Sequence, residues 1–150
     1  MQETVTPFGT LSQEPMPPSM DRWLREAKSH PTAPLCGMYF VHNGVVRQTA
    51  RAKVRQGAAD TRPVTGMEFD YDPALVREAI DEALGMEGIY YVRVWLAKGA
   101  LSLGDDIMYV LLGGDIRPHV VAAFERLVGT IKNRCVSERE RYEEKRGRSE

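Results

Sequence analysis

Cysteine is scarce in this chain: Cys36 and Cys135 are the only two in 150 residues. They form no CxxC pair and have no histidine at metal-ligand spacing, which argues against a zinc site and reads as two buried, reduced thiols. Long apolar runs are missing as well. None approaches the roughly 20 residues that a membrane-spanning helix needs, and the N-terminus lacks the basic-then-apolar pattern of a secretory leader, so the expected location is the cytoplasm. An excess of either charge is also lacking. The formal net charge of −1 argues against a dedicated nucleic-acid binder, whose domain would be clearly basic. The familiar catalytic signatures GxGxxG, GK[ST], HExxH and GxSxG do not occur. No metal and no cofactor are expected.

What is present is an ordinary soluble composition, 43% hydrophobic and 27% charged, in a length that suits one domain with a real core. Residues 1–19 carry four of the nine prolines and no apolar periodicity, and read as a flexible extension. "SMDRWLREAKSHP" reads as a short amphipathic helix capped by Ser19 or Asp21 and ended by Pro31. "GMYFVHNGVVRQ" (37–48) is a strand with a bulge near Gly44. Residues 50–63 are basic and read as a mobile loop. "VTGMEFDY" (64–71) alternates as a half-buried strand, with Met67, Phe69 and Tyr71 on one face and Glu68 and Asp70 on the other. Asp72 followed by Pro73 starts a helix that runs to Gly85. "IYYVRVWLAKG" (89–99) and "DDIMYVLLGG" (105–114) are strands joined by a turn-rich "ALSLG" link, the second apolar enough to be central. A last helix begins near Asp115 and Pro118, follows the i, i+4, i+7, i+8 rule, and is expected to continue past Ser137 as a solvated helix. The order β, β, α, β, β, α with short connections predicts a single α+β domain with a mostly antiparallel sheet packed by helices.

The chemistry resides in the basic residues. Arg47, Arg51, Lys53, Arg55 and Arg62 fall within sixteen positions that hold one acid, Asp60. They read as a solvated loop or as an anion cradle, since guanidinium forks match phosphate geometry. Arg117 follows the strand-to-helix turn "GGDIR", where a helix start favours anions. Lys132 lies on the flank of the last helix's apolar stripe. Its stem lies along a groove with its head in water, or its amine is held in a pocket to act as nucleophile or proton acceptor. The carboxylates Glu68 and Asp70 read as exposed sheet surface. The histidines His42 and His119 read as structural.

The order of these segments resembles the large, catalytic subunit of molybdopterin synthase, the MoaE family, over residues 20–142. "GVVR" matches a family strand end and gives Gly44 and Arg47. "LSLGDD" matches a family turn, with Gly104 and Asp105 in place. A His-Arg pair at the start of the family's last helix corresponds to Ile116 and Arg117, so the arginine is kept, and His119 or His42 is left to stand for the histidine. "IKNR" puts Lys132 and Arg134 on the family's lysine motif. The proline-aromatic segment that follows in the family is "CVSER" here, and its second lysine is Arg139, which keeps the charge but cannot act as a base.

The resemblance implies an α/β-hammerhead-like fold in residues 20–142, followed by a charged tail, 143–150. It implies that the protein works in molybdenum cofactor biosynthesis. Sulfur would pass from the thiocarboxylated C-terminus of a small ubiquitin-like, MoaD-like subunit to cyclic pyranopterin monophosphate, forming molybdopterin. Lys132 and Arg139 would be catalytic, and Arg47, Arg117, Arg51 and Arg134 would bind substrate. The family forms a homodimer, and with its partner a heterotetramer, with the apolar strand 105–113 and Trp95 as expected contributors to the subunit surfaces. Neither nucleic acid nor membrane is an expected partner. The competing expectations are a degenerate, non-catalytic member that still binds the partner's tail, and an unrelated α+β scaffold with a phosphate-binding loop.

Overall fold

The computed structural model of the chain describes residues 5–48 and 63–142. Its strands are β1 (Phe8–Ser12), β2 (Met38–Val45), β3 (Val64–Tyr71), β4 (Ile89–Leu96), β5 (Gly99–Ser102), β6 (Asp106–Gly114) and β7 (Val136–Tyr142). Its helices are α1 (Met20–Lys28), α2 (Pro73–Leu84) and α3 (Arg117–Thr130), and α3 runs into a π turn, Ile131–Cys135. None of these helices is long and apolar enough to cross a membrane.

The strands form two sheets, in the orders β1-β4-β6-β2 and β5-β3-β7. Every pairing is antiparallel except β1 on β4. The α+β class expected from the sequence is what folds, with the strands divided between two sheets rather than gathered in one. The apolar strand β6 is central, flanked by β4 and β2. One face of the larger sheet presents Val92, Val94, Val110 and Leu112, all fully buried, toward α2 and α3. The other presents Tyr91, Arg93 and Trp95 toward α1 and the N-terminal segment: Phe8 stacks on Tyr91 at 5.1 Å, and Arg93 lies 4.5 Å over the Trp23 ring. Each fully buried aliphatic side chain stabilises the fold by roughly 1.5–3 kcal/mol relative to exposure, so a strand covered on both faces anchors the domain.

The helix starts follow the capping signals. Ser19 Oγ accepts the Arg22 N–H at 3.3 Å, and Asp72 Oδ1 accepts the Ala74 N–H at 2.9 Å, with Pro73 opening α2.

Three expectations are corrected. Residues 8–12, read as part of a flexible extension, form β1, because Leu11 enters the core and the strand pairs along β4 from Tyr91 to Trp95. The "ALSLG" link contains β5, paired with β3 from Gly66 to Phe69. The segment read as a fraying continuation of the last helix is β7, paired with β3 from Val64 to Tyr71. The "SERER" charges there alternate between two faces of a strand instead of coating a helix. The 143–150 tail lies outside the described residues.

Candidate functional site

A cleft of about 430 Å³ opens where the end of β2 faces β7, lined by Val45, Arg47, Met67, Ile107, Lys132, Glu138, Arg139, Glu140 and Tyr142. It gathers three residues singled out in the sequence, Arg47, Lys132 and Arg139, from three separate elements.

Arg47 is set by the turn after β5. Gly104 takes φ +82 there, a region that glycine enters without steric cost. Asp105 Oδ2 accepts the Ser102 N–H at 2.8 Å and closes the turn. Two backbone bonds then pin the chain beyond β2: Gly104 N–H donates to Val46 O at 2.8 Å, and Val46 N–H donates to Asp105 O at 3.0 Å. Val46 is buried and the β2–β6 register shifts between Gly44 and Val45. The next residue, Arg47, therefore leaves the sheet at the cleft.

Lys132 sits in the π turn. A π turn widens the helix, and such turns recur at functional sites. Here Ile131 and Cys135 are both buried, and the Asp72 N–H donates to Cys135 O at 2.9 Å. That bond ties the end of the turn to the start of α2. With its neighbours so anchored, the half-buried Lys132 stands at the edge of the core and lines the cleft. His42 lies on the α3 side of β2, 5.0 Å from the Phe124 ring. Burial first, and then the charge of Lys132, hold its imidazole below the usual histidine value.

On β7 the side chains alternate. Glu138 and Glu140 stand opposite Phe69 and Met67 of β3, both buried, and so face inward. Arg139 stands opposite Glu68 on the exposed side. It reaches the cleft's rim and also lines a shallow depression of the outer face with Glu68, Asp70 and Lys98. The two carboxylates were missed in the sequence because the segment read as helix. Period-2 alternation across "VSERERY" was the signal. Glu140 Oε1 accepts the Tyr142 hydroxyl at 3.4 Å.

The other named residues lie elsewhere. Arg134, two positions past Lys132, faces away and lines a groove with Glu78 and Glu82 of α2, since residues two apart on a helical turn do not share a face. Arg117 opens α3, whose 14 residues span about 21 Å at the helical rise, so it stands far from the cleft of its own chain. His119 sits at that same end, its Nδ1 2.7 Å from Asp115 Oδ1 and its Nε2 3.5 Å from Glu87. Of the two histidines, His42 is the one near Lys132. Arg51 lies outside the described residues, as does the rest of 49–62. Trp95 and β6, expected at subunit surfaces, are covered within the chain: Trp95 is 3% exposed, and its Nε1–H donates to Glu14 O at 2.8 Å. Cys135 is buried and Cys36 partly exposed. Both are free thiols, and burial pushes both above the usual range.

Two guanidiniums, an ammonium and two inward carboxylates around one cleft can fix an anionic group through charge-assisted hydrogen bonds and accept N–H donors beside it.

Three comparisons bear on this geometry. No curated protein matches the chain. Among solved structures, the molybdopterin synthase from Staphylococcus aureus superposes with a TM-score of 0.66 at 15% identity, covering 96% of each chain. The molybdopterin biosynthesis MoaE protein from Burkholderia ambifaria gives 0.62 at 16% identity, over 89% of this chain and 88% of that one. The complex of subunits 1 and 2 of the molybdopterin-converting factor from Helicobacter pylori gives 0.57 at 17% identity, over 92% and 91%. At these identities the likeness establishes the fold. The family itself rests on the family model described as MoaE protein, which matches residues 15–134, most of the chain. The chain belongs to the MoaE protein family.

Proposed function

We propose that this chain is the large subunit of a molybdopterin synthase and works in molybdenum cofactor biosynthesis. The observation that carries the reading is the convergence of Arg47, Lys132 and Arg139, far apart in the sequence, on one cleft. The Helicobacter pylori structure pairs two subunits of a molybdopterin-converting factor, which supports a small-subunit partner here.

In this reading the thiocarboxylated tail of a small ubiquitin-like subunit enters the cleft and meets the Lys132 amine. The thiocarboxylate sulfur bonds to a side-chain carbon of cyclic pyranopterin monophosphate as a C–O bond of that carbon breaks and its oxygen leaves, on the phosphate or as water. The acyl carbon–sulfur bond then breaks by hydrolysis, and two carrier tails are spent for the two sulfurs of the dithiolene. Water supplies the oxygen that returns the carrier to a carboxylate. Arg47 holds the substrate phosphate, and Arg139 at the rim offsets the negative charge that develops during transfer. The active assembly is a homodimer in the cytoplasm with one small subunit at each outer end. Arg117, at the far end of α3, can reach such a cleft only from the second copy.

A second reading has its own observation. Arg139 stands where the family has a lysine and lies on the exposed side of β7, which favours a member that binds the tail without turnover. Conversion of cyclic pyranopterin monophosphate to molybdopterin with a thiocarboxylated partner separates the two. Product formation supports the synthase, and tail binding without product supports the non-catalytic member.

A further inference from the structure

Among the described residues the two sheets end in four edge strands, β1, β2, β5 and β7. An edge presents unpaired backbone N–H and C=O groups and recruits another strand unless it is short, charged or covered. β1 and β5 have only five and four residues. β7 carries Glu138, Arg139, Glu140 and Arg141. β2 has neither protection: its eight residues, MYFVHNGV, include no proline and no Lys, Arg, Asp or Glu. Exposed apolar side chains gather along it. Val41 and Val45 are 40% and 46% exposed, and Leu35 and Ile116, also exposed, flank its start.

The two ends of β2 lie beside different chemistry. Its start adjoins the turn into α3, where a Cβ on Gly37 would come within 2.3 Å of Asp115 O, two residues before Arg117. Its end, Val45, lines the cleft and leads to Arg47. A two-fold axis normal to the sheet at Val41 pairs β2 antiparallel with the β2 of a second copy. Each strand keeps its faces under that operation, so opposed residues have the same parity. Val41 meets Val41, and Gly37 of each copy meets Val45 of the other. Arg117 of one copy then stands at the cleft of the other. A parallel pairing would set the two Arg117 side by side and leave both clefts without one.

We propose that the free edge of β2 is the interface between two copies of this chain, joining their four-stranded sheets into one, and that Arg117 of each copy completes the cleft of the other. This rests on the homodimeric synthase reading above and assigns the surface that builds the dimer.

The test is sedimentation velocity of the full chain at micromolar concentration. The wild type sediments as a dimer. Val41→Lys and Val41→Glu each set two like charges about 5 Å apart across the axis, and each sediments as a monomer. An equimolar mixture of the two regains the dimer, because the opposed charges now differ in sign, and that recovery excludes misfolding as the cause. Ala100→Lys, on the β5 edge, stays dimeric. In the conversion assay a mixture of Arg117→Ala and Lys132→Ala regains turnover that neither has alone, since a mixed dimer holds one cleft with both residues intact. A wild-type monomer, a dimer that persists in both Val41 variants, or a Val41 mixture that stays monomeric overturns the β2 assignment and leaves the synthase reading standing. Val41 variants that stay dimeric but lose the small subunit also overturn it, since the edge then belongs to that partner. A dimer that responds at Val41 as described while the wild type makes no product removes the synthase reading and keeps the β2 interface.

Discussion

His42, on β2, and Lys132, in the π turn, are electrostatically linked: burial first, and then the Lys132 charge, hold the His42 imidazole below its ordinary value of 6.5. The pair couples the proposed catalytic amine to a histidine whose affinity for its proton is lowered.

That coupling has a sign. The folded His42 binds its proton less readily than the unfolded chain, so the unfolded state carries more protons as pH falls below 6.5. The stability that His42 contributes is complete above that value and is lost as pH drops toward the folded value. A proton NMR titration is expected to place the His42 midpoint below 6.5. In Lys132→Ala it rises, though only part of the way, because burial is the larger cause. An unchanged midpoint in Lys132→Ala would place the amine out of reach of His42.

The N-terminal strand is structural. Leu11 is 8% exposed within the core, and Glu14 supplies the acceptor for Trp95 Nε1. Leu11→Ala is expected to cost about 2–4 kcal/mol in urea unfolding, through lost burial and the cavity left behind. A chain starting at Met20 loses at least as much, since β1 goes with its whole ladder to β4. Unchanged midpoints would return this segment to the status of a dispensable extension.

Two arginines separate the cleft from the rest of the surface. Arg47→Ala is expected to weaken binding of a pterin phosphate by about 1.5–3 kcal/mol, the worth of a hydrogen bond to a charged group, and to leave thermal stability nearly unchanged, because Arg47 is exposed. Arg134→Ala, on the α2 side of the turn, leaves that affinity as it was. Titration calorimetry on both variants reads the difference directly, and equal losses would mean that the phosphate binds elsewhere.

How far the sequence foretold this molecule depended on the kind of signal each segment carries. β3 was legible because its alternation survives in isolation, and α2 because Asp72 and Pro73 mark its start by local chemistry. β6 announced itself as central by its continuous apolar run. β1 did not, since five residues with one buried leucine carry almost no periodic signal, and its order comes from β4. β7 was misread because charged side chains on both faces resemble a solvated helix, and only pairing with β3 gives their alternation a meaning. The site divided along the same line. Arg47 and Lys132 lie at the ends of strongly patterned elements and could be placed by order along the chain. Glu138 and Glu140 depend on a strand that pattern alone did not reveal. Arg117 and Arg134 shared the motifs but not the cleft, because the length of α3 and the turn of the helix separate them from Lys132.

The central claim is that the Lys132 amine takes part in sulfur transfer. Its most direct test is single-turnover conversion of cyclic pyranopterin monophosphate by Lys132→Ala and Lys132→Arg with a thiocarboxylated partner, beside melting curves of both variants. The account predicts that both variants lose conversion and melt close to the wild type, because the half-buried stem adds modest packing and a guanidinium keeps the charge without a usable amine. Conversion near the wild-type rate in Lys132→Ala would contradict it and leave Lys132 a side chain lying along a groove.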